Sequence, residues 1–291
     1  MTEVALPNRW ARLLLAPGAL ALLVLLVAPT LFLLSYSFAP GGSMRADFSA
    51  GPTVENYASV LADTFYLGII LKTVLVSCLV TLASVLIGWP LAYFIWSVPP
   101  RWKGLATLAV VAPLLISIPV RNYGWMVILG DRGILNLLLI NLHIVSAPVK
   151  MMFTDFAAGL GLTHVLMPFV VLSVLAALER IPAGLAEAAQ TLGAPRLRAI
   201  REIVLPLSMP GILAGGVLVF CVAVSSYVTP ALMGPSGAKY AATLIYQQFV
   251  SLFDWPRGAS IAAILLAVTA VPLVLVLGIF NRRARRSAGY S

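Results

Sequence analysis

Charged side chains are scarce in this sequence. Aspartate, glutamate, lysine and arginine make up 10% of its 291 residues, whereas a soluble domain carries about a quarter. Hydrophobic residues make up 61% of the chain. A composition this apolar excludes an ordinary soluble domain and predicts a helical integral membrane protein.

Cysteine and histidine are rare as well, with two of each in the chain. Cys78 and Cys221 each lie inside an apolar run, where a thiol is a packing residue, so we predict neither a disulfide nor a metal site. His143 and His164 are isolated in the sequence, and we interpret them as loop or packing residues. No spacing typical of a catalytic triad, a carboxylate pair or a metal-ligand set occurs, so the sequence favours no enzyme activity.

A nucleotide-binding motif is also missing. The Walker A motif ends in Gly-Lys-Ser or Gly-Lys-Thr, and its lysine contacts the nucleotide phosphates. None of the four lysines of this chain follows a glycine. We therefore expect this chain to hold no cofactor. If ATP drives the protein, ATP and Mg²⁺ belong to a separate ATPase subunit.

Long apolar runs are what the sequence has in abundance. We count six, each at or above the ~20 residues that a helix needs to cross the hydrocarbon layer. Their approximate bounds are Leu13–Phe38, Leu67–Trp96, Leu105–Leu129, Phe156–Leu178, Leu207–Met233 and Gly258–Phe280. The first run is longer than the ~7–15 residues of a signal-peptide core, so we interpret it as a retained helix. The fold class predicted is all-α, with six transmembrane helices.

Lysine and arginine are unevenly distributed between the two sides of this predicted topology. With six helices both termini share one side, and twelve of the nineteen basic residues fall there. Because positively charged loops stay in the cytoplasm, both termini are predicted to be cytoplasmic. The formal charge of +9 is then mainly a signal of topology. Membrane lipid is an expected partner of the basic tail, and nucleic acid is not.

The predicted helices divide the chain into three parts. Residues 1–66 hold the N-terminal cytoplasmic segment, the first helix and an outer loop. Residues 67–281 form a five-helix core with a cytoplasmic loop at 179–206, and residues 282–291 form a basic tail. Within the core, the connection 130–155 is partly apolar and is expected to hold a short helix. An amphipathic stretch is expected at 241–253.

The cytoplasmic loop contains the most polar stretch in the second half of the chain, "EAAQTLGAPRLRAIREIVLP", residues 187–206. Pro182 is suited to open a short helix at its first turn, where its missing N–H costs nothing. Gly193 fits the end of that helix, because glycine adopts positive φ freely. The apolar positions on one face of the helix are Leu185, Ala188 and Leu192.

A second short helix is predicted to start at Pro195 and to end at Pro206, where the fifth transmembrane helix begins. Its apolar side is formed by Leu197, Ile200 and Val204. The loop is thus predicted to be a helix–glycine–helix at the membrane surface. Physical chemistry alone leaves two interpretations open: an elbow that docks on a partner, and an amphipathic connector with no partner.

The spacing within this stretch resembles a known motif. Permease subunits of binding-protein-dependent ABC importers carry Glu-Ala-Ala, three residues, Gly, nine residues, Ile, one residue and Leu-Pro. The matching residues are Glu187, Ala188, Ala189, Gly193, Ile203, Leu205 and Pro206. In that family the loop forms coupling helices that dock into a groove on the ATPase. The resemblance implies that Glu187 is a polar anchor, that the two alanines allow close approach, and that Gly193 makes the turn.

The resemblance also implies a fold, a location and a set of partners. These are the type I importer permease fold, a multi-pass bacterial inner-membrane protein, a dimer of ABC ATPases, a second and different permease subunit, and a periplasmic solute-binding protein. ATP-driven closure of the ATPases would push on the loop and rock the helices, so that solute delivered outside leaves inside. The alternative is a secondary transporter or channel that works without an ATPase.

Further segments are similar to the spermidine/putrescine subgroup of these permeases, the B-type subunits. They are Val120–Asn136, Tyr227–Gly234, Thr243–Phe249 and Asp254–Leu266. This similarity implies a polyamine as the solute. Because the subgroup includes permeases for other solutes, other organic cations, opines, sugars and inorganic ions remain alternatives.

Polar and aromatic residues beside prolines in the apolar runs are candidates for a solute pathway. They are Arg121, Asn122, Tyr123 and Trp125 in the third run, and Ser225, Ser226, Tyr227 and Thr229 in the fifth. Pro113 and Pro119 are expected to break the third helix. Three alternatives remain: an arginine that extends to the membrane surface, interfacial aromatic residues, and hydroxyls that bond between helices.

A carboxylate near the pathway would favour a polyamine, which carries two or more positive charges. None of the ten acidic residues falls near the centre of a predicted helix. Asp155, at the start of the fourth run, comes closest. It is either a pathway residue or a residue of the outer boundary, so the sequence neither proves nor excludes a polyamine.

Overall fold

A computed structural model describes residues 8–40, 51–182, 184–191, 193–237 and 239–288. Within these ranges the chain forms helices and connecting turns, without a strand. The first seven helices are α1 (Asn8–Ser37), α2 (Glu55–Ala62), α3 (Thr64–Ser97), α4 (Pro100–Val111), α5 (Ile118–Leu129), α6 (Ile134–Asn141) and α7 (Asp155–Leu178). The other six are α8 (Leu185–Thr191), α9 (Arg196–Ala199), α10 (Leu205–Ser225), α11 (Val228–Met233), α12 (Ala241–Tyr246) and α13 (Trp255–Ala288).

The prediction of six membrane-spanning helices is confirmed. Six helical stretches among the described residues are long and apolar enough to cross a bilayer. They are Ala16–Ser37, Thr64–Ser97, Ile118–Asn141, Asp155–Leu178, Arg196–Ser225 and Trp255–Val276. The second, α3, has 34 residues, about 51 Å of helix, which exceeds the ~30 Å hydrocarbon layer.

The prediction that Leu105–Leu129 forms a single third helix is wrong. Helix α4 ends at Val111, a 3₁₀ turn covers Ala112–Leu115, and α5 starts at Ile118. Pro113 lies in the turn and Pro119 in the first turn of α5, so the break occurs at the two prolines, as expected. The membrane-crossing stretch is therefore shifted to 118–141 and includes the short helix expected in the connection 130–155.

The predicted fifth helix, Leu207–Met233, is also divided. Helix α10 ends at Ser225, the φ/ψ of Ser226 (−68°, 127°) is extended, and α11 starts at Val228. At its other end, α10 continues without interruption from α9 through a π-helical turn at Ile200–Val204. The amphipathic stretch 241–253 is helical, as α12 and a π-helical turn at Gln247–Ser251. Helix α2 was not predicted.

Two compact units make up the chain. One contains the described residues of 1–66 and 245–264, and the other contains those of 67–244 and 265–291. The core of the second unit lies along α3, α7 and α10 and includes Val80, Leu162, Leu166, Val170, Val174 and Val219. Helix α10 lies so close to α7 that a methyl group added to Gly215 would stand 2.9 Å from the Cα of Val170. Small residues of this kind allow helix backbones to approach in a membrane.

The first unit is held together at the end of α1. The side chain of Asn56 on α2 is buried and donates to the carbonyl of Ala39 at 2.7 Å. Ser260 on α13 donates to the carbonyl of Ser37 at 3.1 Å. These bonds satisfy carbonyl groups at a helix end that have no partner within the helix.

Candidate functional site

The motif stretch forms a short exposed helix that ends at a glycine. Helix α8 spans Leu185–Thr191, and Gly193 has a φ of +89°. The N–H of Gly193 donates to the carbonyl of Gln190, and the N–H of Ala194 donates to that of Ala189, both at 3.0 Å. This is the Schellman arrangement. The prediction that Gly193 ends the helix in the left-handed conformation is confirmed.

The start of this helix differs from the prediction. Pro182 does not open the helix; α8 begins three residues later, after Gly184, whose φ is +85°. Leu185 and Ala188 are exposed, so the apolar face of α8 is open. The side chain of Glu187 and the whole of Leu192 lie outside the part of the chain that the structure describes.

The second short helix is not a separate element. It starts at Arg196, with Pro195 as its N-cap residue, and runs on into α10, so that Pro206 lies inside a continuous helix, just after the π-helical turn. Of the three apolar residues predicted to share one side, Val204 is fully buried, Ile200 is half-buried and Leu197 is 76% exposed. Ile203 and Leu205 are half-buried. The second half of the motif is therefore continuous with a membrane-spanning helix. We call residues 184–206 the elbow.

One ion pair lies on the surface of the elbow. The Nε of Arg198 lies 3.8 Å from a carboxylate oxygen of Glu202, one helical turn away, and both side chains are more than 60% exposed. An exposed pair at this distance contributes little to stability. These charges remain accessible to a partner.

The candidate residues on α5 point in different directions. Arg121 is 8% exposed and donates to the carbonyl of Pro113 at 2.5 Å, so it caps the break in the chain instead of extending to the surface. Asn122 is fully buried, whereas Tyr123 is 57% exposed. The indole N–H of Trp125 lies 3.1 Å from Nδ1 of His164 on α7.

The candidate residues near the α10–α11 break also differ in their burial and in their contacts. Thr229 is 1% exposed, and its hydroxyl accepts a bond from the side-chain N–H of Asn122 at 3.2 Å. The hydroxyl of Ser225 donates back to the carbonyl of Cys221 on its own helix. Ser226 forms the break itself, and Tyr227 is 36% exposed. The structure thus brings Asn122 and Thr229 together.

Asp155 lies in a polar cluster at the beginning of α7. Its carboxylate is 2.8 Å from the ammonium of Lys72 on α3 and accepts a 2.9 Å hydrogen bond from the hydroxyl of Tyr240. The Lys72 ammonium also lies 5.2 Å from the centre of the Tyr240 ring. Burial, the bond to Asp155 and its negative charge all raise the pKa of Tyr240, so the phenol stays protonated. We call these three residues the ammonium cage.

Sequence reasoning identified Asp155 but missed three of the residues around these sites. Lys72 lies within an apolar run, Tyr240 lies in a loop, and His164 was interpreted as a packing residue. Their partners are 39 to 85 residues away in the chain. No local spacing signals such pairs.

A cavity of about 370 Å³ begins at Asp155 and runs between α3 and α7. It is lined by Asp155, Phe156, Gly159, Leu160 and Thr163 on α7, and by Val76, Leu79, Val80, Ala83 and Ile87 on α3. Among the described residues there is no group of three or more side chains that could hold a metal ion. The cavity therefore combines one carboxylate with a mainly apolar wall.

Comparison with known proteins identifies the family of this chain. A family model described as a binding-protein-dependent transport system inner membrane component matches residues 58–286. The spermidine/putrescine transport system permease protein PotB of Escherichia coli (strain K12) is 32% identical over 227 residues, 78% of this chain and 79% of that protein. The PotB protein of Haemophilus influenzae is 31% identical over 242 residues, 83% of this chain and 84% of that protein.

Solved structures show a similar fold. A chain of a bacterial alginate ABC transporter, crystallised in complex with an alginate pentasaccharide-bound periplasmic protein, superposes with a TM-score of 0.77. The superposition covers 94% of this chain and 95% of that one, at 18% sequence identity. At this identity the likeness shows the fold alone. With the family match and the relatives above, the conclusion is that this chain belongs to the binding-protein-dependent transport system inner membrane components, the permease subunits of ABC importers.

Proposed function

We propose that this permease forms the membrane pathway of an ATP-driven importer for spermidine, putrescine or a related polyamine. The support is its similarity to PotB proteins over about four fifths of its length. A periplasmic binding protein would deliver the solute, and a second, different permease subunit would complete the pathway. Other organic cations are the nearest alternative solutes.

One observation carries the proposed coupling to ATP hydrolysis: α8 is a short exposed helix that ends at a left-handed glycine and is joined through α9 to a spanning helix. An exposed apolar face next to charged side chains is suited to docking on another protein. Because α9 and α10 are continuous, a push on the elbow would move a whole transmembrane helix. ATP and Mg²⁺ would be held by the ATPase dimer, and this chain would hold no cofactor.

Transport would then proceed by alternating access. Closure of the ATPase dimer would move the elbow, and α10 would transmit the motion to the helices that line the pathway. Helices α5, α7 and α11 meet through the Asn122–Thr229 and Trp125–His164 contacts. A displacement of α10 would reach these contacts through the short break at Ser226–Tyr227.

Co-purification tests the docking role. The permease is expressed together with its ATPase, second permease and binding protein, and an affinity tag on the permease is used to recover the complex. Glu187→Arg and Gly193→Val are each expected to reduce recovery of the ATPase at least about tenfold, since one reverses the charge of the anchor and the other strains a φ of +89°.

The matched control is Glu202→Gln, which removes an exposed carboxylate of the same elbow outside the motif. We expect it to leave recovery of the ATPase unchanged. Full recovery with Glu187→Arg and Gly193→Val would contradict the docking role. Solute flux through the permease without any ATPase would favour the channel or secondary-transporter alternative.

Uptake of radiolabelled spermidine by cells that contain the complete transporter tests the solute. We expect uptake that is abolished without the ATPase and inhibited by excess putrescine. Spermidine uptake that is absent, or that excess putrescine does not inhibit but another class of solute does, would contradict the polyamine assignment. It would leave the importer assignment intact.

A further inference from the structure

The ammonium cage contains the chemical groups that recognise a primary alkylammonium. Such an ion is bound best by a carboxylate that pairs with its charge and by an aromatic face that attracts it. Asp155 supplies the carboxylate and Tyr240 supplies the ring. The ion held there is the side chain of Lys72, which is itself an ammonium at the end of four methylene groups.

Asp155 has supporting contacts other than Lys72. Asp155 is the first residue of α7, where the positive end of the helix dipole stabilises an anion. The hydroxyl of Tyr240 donates to the same carboxylate oxygen that Lys72 contacts. Both of these contacts remain in place when the lysine leaves.

The cage is also open to exchange. The side chain of Lys72 is 28% exposed and that of Asp155 is 46% exposed. An ion pair at this exposure is weak. A second ammonium arriving from the aqueous phase can therefore compete with Lys72 for Asp155.

The adjoining cavity explains why the ligand would be an alkylammonium and not an inorganic cation. Asp155 stands at one end of about 370 Å³ of space whose other walls are mainly apolar, including Val76, Val80 and Leu160. Methylene groups gain free energy by leaving water for such a wall. A bare metal ion gains nothing from it.

We propose that Asp155 and Tyr240 form a binding site for one terminal ammonium of the transported solute, and that Lys72 occupies this site as an internal substitute until the solute displaces it. This inference rests on the proposed polyamine function for the identity of the solute. The aminobutyl arm of putrescine has the same four methylene groups and ammonium as a lysine side chain. The site lies at the end of α7 away from the elbow, ~36 Å along the helix.

Uptake kinetics of putrescine in the complete transporter test the competition. Lys72→Met removes the internal competitor and is expected to lower the half-saturating putrescine concentration about threefold or more. Asp155→Asn is expected to raise it by at least a similar factor. The double variant is expected to behave like Asp155→Asn, because the gain from removing Lys72 requires the carboxylate.

A purely structural ion pair predicts a different pattern. Lys72→Met and Asp155→Asn would then both reduce uptake, and the neutral double variant would recover it. That pattern would overturn the proposal. Lys239→Met, which removes an exposed lysine next to Tyr240, is the matched control and is expected to leave the half-saturating concentration unchanged.

A binding measurement on the purified transporter in nanodiscs keeps the test independent of uptake. Lys72→Ala opens the cage, and butylammonium chloride is expected to raise its unfolding temperature relative to sodium chloride at the same ionic strength. The Lys72→Ala/Asp155→Asn variant is expected to show no such rise. Equal changes in the unfolding temperature of the two variants on addition of butylammonium would overturn the proposed binding site.

The two proposals fail in distinguishable ways. Absence of polyamine uptake by the wild-type transporter would reject the proposed solute, whereas the butylammonium measurement would still decide on the cage. Normal polyamine uptake with unchanged kinetics in Lys72→Met and Asp155→Asn would reject the cage and leave the proposed function standing.

Discussion

Asn136 is a single side chain that fixes the connection between α6 and α7. It is fully buried, and its side-chain N–H groups donate to the carbonyls of Gly130 and Val149, both at 3.0 Å. Its side-chain oxygen accepts from the N–H of Val149 at 2.8 Å. Three bonds from one amide replace the regular hydrogen bonding that an irregular connection lacks.

Asn136→Ala is expected to loosen this connection. The variant leaves three backbone groups without their partner, at a cost of about 1–3 kcal/mol in the free energy of local opening. Limited trypsin digestion of the reconstituted transporter should therefore cleave faster after Lys150. The control is Asn141→Ala, an exposed asparagine at the end of α6. Equal cleavage rates in the two variants would contradict the role of Asn136.

Tyr240 makes the stability of the permease depend on pH in the alkaline range. Because its pKa is raised in the folded protein, the folded state keeps the phenol proton at a pH where the unfolded chain loses it. The stabilisation from the Tyr240–Asp155 bond is then present in full below the ordinary tyrosine pKa of about 10 and decreases above it. Tyr240→Phe lacks this bond at every pH.

The difference in unfolding temperature between wild type and Tyr240→Phe is therefore expected to be largest at pH 8–9 and to shrink as the pH rises above 10. Thermal unfolding of the purified transporter at a series of pH values measures it. A difference that stays constant or grows with pH would show that the hydroxyl of Tyr240 is not held protonated by the fold.

Among single residues, the sequence predicted those whose roles are local and missed those whose roles depend on partners distant in the chain. Gly193 was identified because a helix stop requires positive φ, a property of one residue. Lys72 could not be assigned to Asp155 or Tyr240, since no residue near it in the chain signals either one. Arg121 was expected at the membrane surface as one alternative, yet the broken helix offers it the carbonyl of Pro113.

The contact between α7 and α10 depends on two glycines at a spacing of four. A methyl group added to Gly211 would stand 2.5 Å from the carbonyl oxygen of Ser173, and one added to Gly215 would stand 2.9 Å from the Cα of Val170. Both obstacles are backbone atoms, which cannot rotate away. A larger residue at either position must therefore separate the two helices.

Gly211→Ala and Gly215→Ala are each expected to destabilise the permease by about 1–3 kcal/mol, because the added methyl overpacks a close helix contact. Gly216→Ala is the matched control on the same helix, since its new methyl would meet Thr81 at an ordinary 3.7 Å. Thermal unfolding of the purified transporter compares the three. Equal unfolding temperatures would contradict the close packing of α7 on α10.

Element boundaries were predicted where proline and glycine set them and missed where tertiary contacts do. Pro113 and Pro119 mark the end of α4 and the start of α5 in both sequence and structure. The continuity of α9 and α10 was missed, because Pro206 resembles a boundary in sequence, whereas in the structure the helix continues past it directly after the π-helical turn at Ile200–Val204. Under the proposed coupling, this continuity would let a displacement of the elbow move α10.

The whole molecule has one polar feature at each end of α7. The elbow follows its last residue, Leu178, and the ammonium cage surrounds its first, Asp155. The distribution of basic residues predicts that the elbow side is cytoplasmic, which is the side on which an ATPase would dock. The cage would then face the side from which a binding protein delivers solute. The composition of the chain alone was enough to predict a membrane protein. The solute could not be predicted in this way, because its recognition depends on side chains that only the fold brings together.

The central claim is that the elbow contacts the ATPase, and site-specific photocrosslinking in the complete transporter tests it most directly. A photoreactive amino acid replaces Leu185 on the exposed face of α8, and a control places it at Leu142, an exposed residue just after α6. We expect crosslinks from position 185 to the ATPase subunit and none from position 142. No ATPase crosslink from position 185, or an equal yield from both positions, would contradict the account.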